Sequence, residues 1–543
     1  MTGNRLLRST AVFSSMTFLS RIFGLVRDQV YAAVFGASPA FGAFVVAFRI
    51  PNFMRRLSAE GSFSMAFVPV LAEYRAKEDH AAVKELIDRV TGTLTAALLV
   101  LTGIAVLAAP WVMRVFAPGF EVGSEQSRLA TEMLRITFPY VLFISLASLA
   151  GGILNTYGRF AIPALSPVLM NVAMIAAALA LAPQMPAWGF EPVVALAWGV
   201  FAAGILQLVF QLPALARLGL LPRPRLPAGH PGVYKIMKLM VPTLFGSSVA
   251  QFNLLFNTMA ASLLFGGSVA WLYYSDRLLE FPLGMFGVAI GTVILPHLSG
   301  RHAATDPDGF SKGLDWGFRL CLLIGVPACL GLILCAHPLM SALFEYRNFS
   351  AFDTRMSSWS LMAQSTAVPA FLLVKVLAPA FYARQDTRTP VKAAVVSVLA
   401  NALFTALLIA GAVYFTAPGQ AALQAHAGDF WKALERLPGT HALLALAIAL
   451  AGWLNALQLG WYLRRAGVYQ RQPGWRRFLR QIGLASLAMV AVLAALSWAW
   501  NDWTAWPWWE RLYKLAIMVG AGGAIYGGLL WLQGIRPRDL RGH

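Results

Sequence analysis

Charge is scarce in this chain, so the places where it interrupts apolar sequence are the places to look for chemistry. Arg21 stands about ten residues from either end of an apolar run, roughly 15 Å at helical rise, and Arg27 and Asp28 follow it. The next run holds Arg49, Arg55, Arg56 and Glu60, of which Arg49, Arg56 and Glu60 share one helical stripe with Phe53. Asp276, Arg277 and Glu280 open an apolar segment in the second half, with Asp276 and Glu280 one turn apart. Lys375 lies deep in another. An ionised side chain at the centre of a bilayer costs about 2.5–3.5 kcal/mol, so such residues face a cavity, a partner or the interface. Long side chains near span ends can also snorkel to the headgroups, and snorkelling or internal pairing is at least as good a reading for Arg49, Arg384 and Arg388. It fits Arg21 less well. The planar guanidinium matches phosphate oxygens two at a time and keeps its charge when enclosed. Arginines gathered in both halves therefore suggest a cationic cavity for an anionic, phosphate-bearing substrate.

Reaction chemistry has little to stand on. The eight histidines are scattered without an HExxH motif, and no GxxxxGK[ST] loop is present for ATP hydrolysis. The acids sit beside arginines and do not converge as a metal or His/Asp constellation would. Cys321, Cys329 and Cys335 share one apolar stretch and read as core thiols. The chain is expected to be a transporter with no enzymatic activity and no resident cofactor.

The elements that must carry these charges follow from composition. Of 543 residues 58% are hydrophobic and 12% charged, with mean hydropathy +0.64. Soluble proteins carry about 25% charged residues, so this chain cannot cover a water-soluble body. Disordered, collagen-like and disulfide-framework classes are excluded by the same figures. A spanning helix needs about 20 apolar residues. That ruler marks about fourteen segments, near 10–36, 40–72, 87–113, 130–157, 162–183, 190–215, 234–265, 269–299, 314–336, 357–383, 390–416, 440–464, 478–500 and 512–534. The first is too long for a signal peptide, contains Arg21 and Arg27, and lacks a convincing cleavage site. The expected fold class is an all-α polytopic membrane protein.

The net charge of +19 is explained by topology, with no nucleic-acid partner. The loops at 217–238 and 464–480 carry arginines and lysines without an acid, whereas 183–191 and 416–440 are neutral or mixed. Basic loops follow even-numbered spans, which places both termini in the cytoplasm.

The chain also repeats. Phe35-Gly36-Ala37-Ser38 returns as Phe265-Gly266-Gly267-Ser268, Pro139 as Pro369 and Asn171 as Asn401, all at an offset of 230. Arg49 and Pro51 are echoed by Arg277 and Pro282. The repeat divides the first twelve spans into two six-helix lobes, 1–216 and 217–465, with a helix pair and cytoplasmic tail at 466–543. An even number of spans per lobe relates the two by a pseudo-two-fold axis along the membrane normal, an arrangement common in transporters with a central site. Pro51, Pro69, Pro282 and Pro296 lie in or beside the charged spans, where they permit bending or make static kinks.

At this level the sequence resembles a known family. SSMTFLSRIFGLVRD at 14–28, AFRIPNFMRRLSAEGSFSMAFVPVLAEY at 47–74, FPYVLFISLASLAGGILNTYGRFAIPALSP at 138–167, YYSDRLLEFPLGMFGVAIGTVILP at 273–296 and VKVLAPAFYARQDTRTPVK at 374–392 are similar to the MurJ (MviN) family. These are lipid II flippases of the multidrug/oligosaccharidyl-lipid/polysaccharide exporter superfamily. The resemblance implies a fourteen-helix fold in the bacterial inner membrane, with two lobes and a groove formed by the last helix pair. It implies lipid II, the undecaprenyl-diphosphate-linked peptidoglycan precursor, as substrate, moved from the inner to the outer leaflet. It assigns substrate binding to Arg21, Arg27, Arg55 and Arg277, and charge partnership to Asp28, Glu60, Asp276 and Glu280. Where many members carry an aspartate early in the second helix this chain has Gly42, so no role assigned to that aspartate transfers. Some members bind sodium near the seventh and eleventh helices; Asp386 is the one acid near the eleventh here.

The mechanism that the resemblance implies is alternating access. The arginines would capture the diphosphate, the acids would orient them, and the tail would stay in lipid, along the last helix pair, while the lobes rock. Membrane lipids and cell-wall synthesis or division proteins are the expected partners. Coupling to sodium or to the membrane potential is compatible with the family. The rival readings are export of another polyprenyl-linked glycan or of drugs, a membrane enzyme acting on a lipid diphosphate, and a division scaffold. A drug exporter calls for an apolar, acid-lined cavity, and a scaffold gives no reason to keep intramembrane charge.

Overall fold

Polar caps set where the apolar runs begin to coil. Ser38 accepts the Phe41 N–H at 3.2 Å with Pro39 in the first turn, and Asp79 accepts the Ala82 N–H at 2.7 Å. Ser350 and Asp353 form a reciprocal capping box. Asp306 accepts the Gly309 N–H at 2.8 Å, and that bond, aided by Arg301, holds its carboxyl below the usual range against the effect of burial.

A computed structural model describes residues 3–56, 63–226 and 229–536, with the side chains of 3–15, 17, 241–250, 288 and 289 outside the description. Glu60 therefore lies outside the described residues. Among those described, every regular element is helical. Ten helices are long and apolar enough to cross a membrane, or eleven if the pair Ala351–Ser365 and Val368–Tyr382, bent by 42°, forms one broken span. These correspond to eleven of the fourteen segments read from the sequence. The other three, 10–36, 40–72 and 234–265, each run over residues or side chains outside the description.

The chain divides into two compact units, Met1–Leu263 and Leu264–His543. The first contains α1 (Gly3–Phe35), α2 (Pro39–Arg55), α3 (Ser64–Lys77), α4 (His80–Leu107), α5 (Ala109–Phe116), α6 (Glu125–Thr137), α7 (Tyr140–Thr156), α8 (Ala161–Ala176), α9 (Val194–Val209), α10 (Leu212–Arg217) and α11 (Pro231–Ser262). The second contains α12 (Ser268–Ala303), α13 (Pro307–Leu334), α14 (Ala336–Phe344), α15 (Ala351–Ser365), α16 (Val368–Tyr382), α17 (Arg388–Phe415), α18 (Ala417–Ala425), α19 (Phe430–Glu435), α20 (Thr440–Arg465), α21 (Trp475–Ala499) and α22 (Trp508–Leu532). The sequence groups α11 with the second lobe; its packing against α2, α3, α4 and α5 puts the contact boundary after it. The two boundaries measure different things, one the repeat and the other the packing.

The repeat is visible in the packing of each unit. In the first, α2 packs on α6, α4 on α7, and α7 and α8 on α9. In the second, α12 packs on α15, α13 on α16, and α16 and α17 on α20. The starts of α4 to α8 and of α13 to α17 lie 226–228 positions apart, slightly short of the offset of 230 read from short motifs. Side chains are distributed as a bilayer requires. On α17 Leu399, Leu403 and Leu407 are exposed along one stripe, while Asn401, Thr405, Ile409 and Val413 turn inward. The last pair, α21 and α22, packs on α13 and α14, and Arg511 of α22 is buried with donor bonds to the carbonyls of Ser341, Glu345, Thr504 and Trp506.

A buried aspartate near the start of the equivalent helices α4 and α13 fastens the linker that leaves each lobe. Asp88 pairs with Lys84 and accepts the Arg223 N–H at 2.7 Å, and its carbonyl accepts the Arg225 N–H at 3.0 Å. Gly92 one turn on is required for this seat, because a Cβ there would lie 2.0 Å from the Arg225 carbonyl oxygen. Asp315 accepts from Tyr469 Oη at 2.8 Å, Trp475 Nε1 at 2.6 Å and Arg319 Nε at 2.7 Å. Neither aspartate stood out in the sequence, since each is one acid among several at a basic helix end. Asp88→Ala is expected to free the linker that starts at Arg217, seen as at least tenfold faster tryptic cleavage after Arg225, Arg223 being protected by Pro224; an unchanged rate would show that the seat does not depend on the carboxylate.

Candidate functional site

In the first unit Arg27 of α1 is held by α8. Arg27 donates from Nε and Nη2 to Asp28 Oδ1 at 3.0 and 2.8 Å, and from Nη1 to Asn171 Oδ1 at 3.0 Å. Asn171 returns a bond from Nδ2 to the Ser20 carbonyl at 3.1 Å. The Arg27 guanidinium carbon also lies 5.5 Å from the centre of the Tyr31 ring. Arg27 and Asp28 are only 9% and 2% exposed, so this arginine is an internal member of the α1–α8 contact. Arg21, six residues earlier, is half-buried, and among the described residues it makes no hydrogen bond or ion pair.

Arg55 ends α2, where its Nε and Nη2 both donate to Asn52 Oδ1 at 3.0 and 2.8 Å. Arg49 donates to Thr258 Oγ1 of α11 at 2.5 Å, which favours internal pairing over snorkelling for that residue. Gly42 is buried within α2.

In the second unit Asp276 and Arg277 are neighbours that point different ways. Asp276 accepts Gln364 Nε2 of α15 at 2.8 Å. Arg277 turns toward the exposed side, pairing with Glu280 at 3.1 Å and lying 4.9 Å from the Tyr273 ring centre. Its side chain stays 34% exposed and that of Glu280 61%, so the pair is a rim contact that a ligand could replace. Lys375 is exposed on α16 with its stem beside α12: a Cβ on Gly287 would lie 3.5 Å from Lys375 Cγ.

The structure thus brings Arg27 together with Asp28, and Arg277 with Glu280. Asn171, Tyr273 and Gln364 complete these groups and were missed in the sequence as candidates. Asn171 had appeared there only as a repeat marker. The signal available for Gln364 was its place in a polar stripe along an otherwise apolar span.

Asp386 accepts the N–H groups of Arg388 and Thr389, both at 3.0 Å, and the Thr389 hydroxyl at 2.6 Å. The Thr389 hydroxyl is the main reason its carboxyl is held below the usual range. This is the work of a cap on α17. Among the described residues no group of three or more His, Cys, Asp or Glu side chains converges to hold a metal ion, and Cys321, Cys329 and Cys335 are free thiols.

Comparison with known proteins bears on the family and the fold. A family model described as lipid II flippase MurJ matches residues 31–425. A "Probable lipid II flippase MurJ" of Vibrio cholerae serotype O1 is 41% identical over 99% of this chain and 98% of its own length. The "Lipid II flippase MurJ" of Burkholderia cenocepacia is 40% identical over 99% of both chains. Among solved structures, an inward closed conformation of a lipid II flippase MurJ superposes with a TM-score of 0.75 at 24% identity, covering 98% of this chain and 99% of that one. An inward-facing multidrug resistance MATE family transporter of the MOP superfamily gives 0.62 at 14% identity, covering 84% and 98%. The two superpositions speak to the fold.

Proposed function

We infer that this chain, which belongs to the lipid II flippase MurJ family, moves lipid II from the inner to the outer leaflet of the bacterial inner membrane by alternating access through a cationic cavity. The observation that carries the reading is the set of half-buried arginines on apolar helices of a chain related to lipid II flippases along its full length. Arg21, Arg27, Arg55 and Arg277 are assigned to the diphosphate. Arg277 and Arg21 are the foremost direct contacts, because both are half-buried and the Arg277–Glu280 ion pair is screened by its exposure. Arg27, locked to Asp28 and Asn171, contributes charge from behind the surface. Glu280 and Asp276 balance Arg277 when no substrate is bound, and Glu60 is assigned the same part in the first unit.

Both termini lie in the cytoplasm on this reading, because the two acid-free basic loops then face inward. The membrane potential is a sufficient energy source in kind, at about 2.3 kcal/mol per charge per 100 mV. Membrane lipids meet the exposed leucine stripes, and cell-wall synthesis or division proteins are the natural protein partners.

The test is exposure of lipid II on the outer leaflet in cells depleted of the protein and supplied with the native chain, Arg21→Ala or Arg277→Ala. Depletion is expected to abolish exposure, the native chain to restore it, and each variant at equal membrane level to restore less than a tenth. Exposure that persists after depletion would redirect the reading to another polyprenyl-linked glycan. Full rescue by both variants would keep lipid II and remove these arginines from the site.

A further inference from the structure

Helix α15 carries an unusual load of buried polar side chains for a membrane segment. Asp353, Ser357, Ser360 and Gln364 follow one another at spacings of four, three and four, so they share one face. Both ends of that stripe reach α12. Asp353 Oδ1 accepts Trp271 Nε1 at 2.8 Å, and Gln364 Nε2 donates to Asp276 Oδ1 at 2.8 Å. Ser357 and Ser360, between those ends, therefore lie along the same seam. Both are 0% exposed and Gln364 is 2%. The hydroxyls of Ser357 and Ser360 and the Oε1 of Gln364 are all buried without a hydrogen-bond partner.

A bilayer offers nothing to satisfy such groups from outside. The usual escape for a helical serine is a bond to the carbonyl one turn back, which Ser358 makes to Thr354 at 2.6 Å. Ser357 and Ser360 do not make it, and the carbonyl behind Ser360, that of Met356, already faces His441 Nε2 at 2.9 Å. Side chains three or four apart on a helix sit about 5–6 Å apart at Cβ. One water molecule making two ordinary hydrogen bonds spans that gap. The stripe climbs roughly 16 Å from Asp353 to Gln364, and its first member lies at the exposed end, where its carboxylate caps α15 through Ser350.

We propose that the α12–α15 seam is a water-binding path along which Asp276 exchanges protons with the aqueous phase at the Ser350 end of the second unit. A hydronium ion at that end gives its proton to the first water of the chain. Successive hydrogen bonds pass a proton along, and the Asp276 carboxylate becomes a carboxylic acid, with no other species consumed. α12 packs on α13, α15, α16 and α20, whose charged and titratable residues include Asp353 on α15, Lys375 on α16, His441 on α20 and the Asp315–Arg319 pair on α13, and Arg277 and Glu280 flank Asp276 on its own helix. Protonating Asp276 removes one negative charge next to Arg277 in the chain, so the path would set the net charge of the Asp276–Arg277–Glu280 group, whose arginine is assigned to the substrate. That last step rests on the flippase reading; the path itself does not.

The experiment uses the full chain in sealed vesicles with the three native cysteines replaced by alanine. Single cysteines are placed at Ser357, at Ser360 and, as a dry control from the next stripe of α15, at Leu361, and silver ion is applied to each face in turn. Ser357→Cys and Ser360→Cys are expected to react at least tenfold faster than Leu361→Cys, from one face only. A second measurement follows the infrared carbonyl band of a protonated carboxyl that is lost in Asp276→Asn. After an acid step on the reactive face this band is expected to rise in the native chain, and at least tenfold more slowly in the Ser357→Ala/Ser360→Ala double variant. Equal silver rates at all three positions, no Asp276 band, or a band with unchanged kinetics in the double variant would each overturn the proposal. None of these readouts needs lipid II, so they stand or fall apart from the flippase reading.

Discussion

Replacing Arg27 with alanine is expected to destabilise the first unit by about 3–5 kcal/mol, because it breaks a buried ion pair with Asp28. Asp28 is 2% exposed, and Arg27 supplies two of its hydrogen bonds while also holding Asn171 of α8. The loss is read as a lower midpoint of thermal unfolding in detergent. The double variant Arg27→Ala/Asp28→Asn removes the buried carboxylate charge as well and is expected to recover most of the loss. Arg21→Ala should leave the midpoint unchanged while lowering lipid II exposure. If Arg27→Ala unfolds at the native midpoint yet fails to transport, Arg27 acts on substrate directly and its burial is incidental to its role.

The second large effect concerns Asp315. Its carboxylate takes bonds from the Tyr469 hydroxyl, the Trp475 indole, the Gln472 N–H and Arg319. Asp315→Ala leaves several donors without an acceptor, at about 1–3 kcal/mol for each that stays buried. We expect a loss of about 3 kcal/mol, with the 466–474 linker becoming open to protease. The same contact makes the linker sensitive to alkali. Burial, reinforced by the bond to Asp315, pushes the Tyr469 hydroxyl well above the usual tyrosine value. A group whose pKa is raised on folding contributes stability below its unfolded pKa, about 10, and loses it as the pH rises through the folded value. Linker cleavage should therefore begin to rise above about pH 10 in the native chain, and Tyr469→Phe should flatten that rise.

Much of this architecture can be read from the sequence because a bilayer asks for so little. Length and apolarity alone mark the eleven spans, and two short repeated motifs point to two related halves. Partnership is harder. Arg27 and Asn171 are 144 residues apart, and nothing in either local run announces that they meet. Asp88 and Asp315 look like ordinary acids near basic loops until the linkers are seen to fold back on them. The Ser357–Gln364 stripe has a helical spacing that was there to be noticed, but in an isolated sequence a serine that bonds its own helix and one that does not look the same.

The paired aspartates have a consequence for how the chain is made. Asp88 is synthesised 135 residues before Arg223, and Asp315 160 residues before Trp475. By the time either linker leaves the ribosome, the seat that receives it has already been translated. Each half is thus able to fasten its own exit before the next segment is inserted. Biogenesis then becomes a series of closed steps, in which a product stalled after the first linker would still hold that linker on its seat.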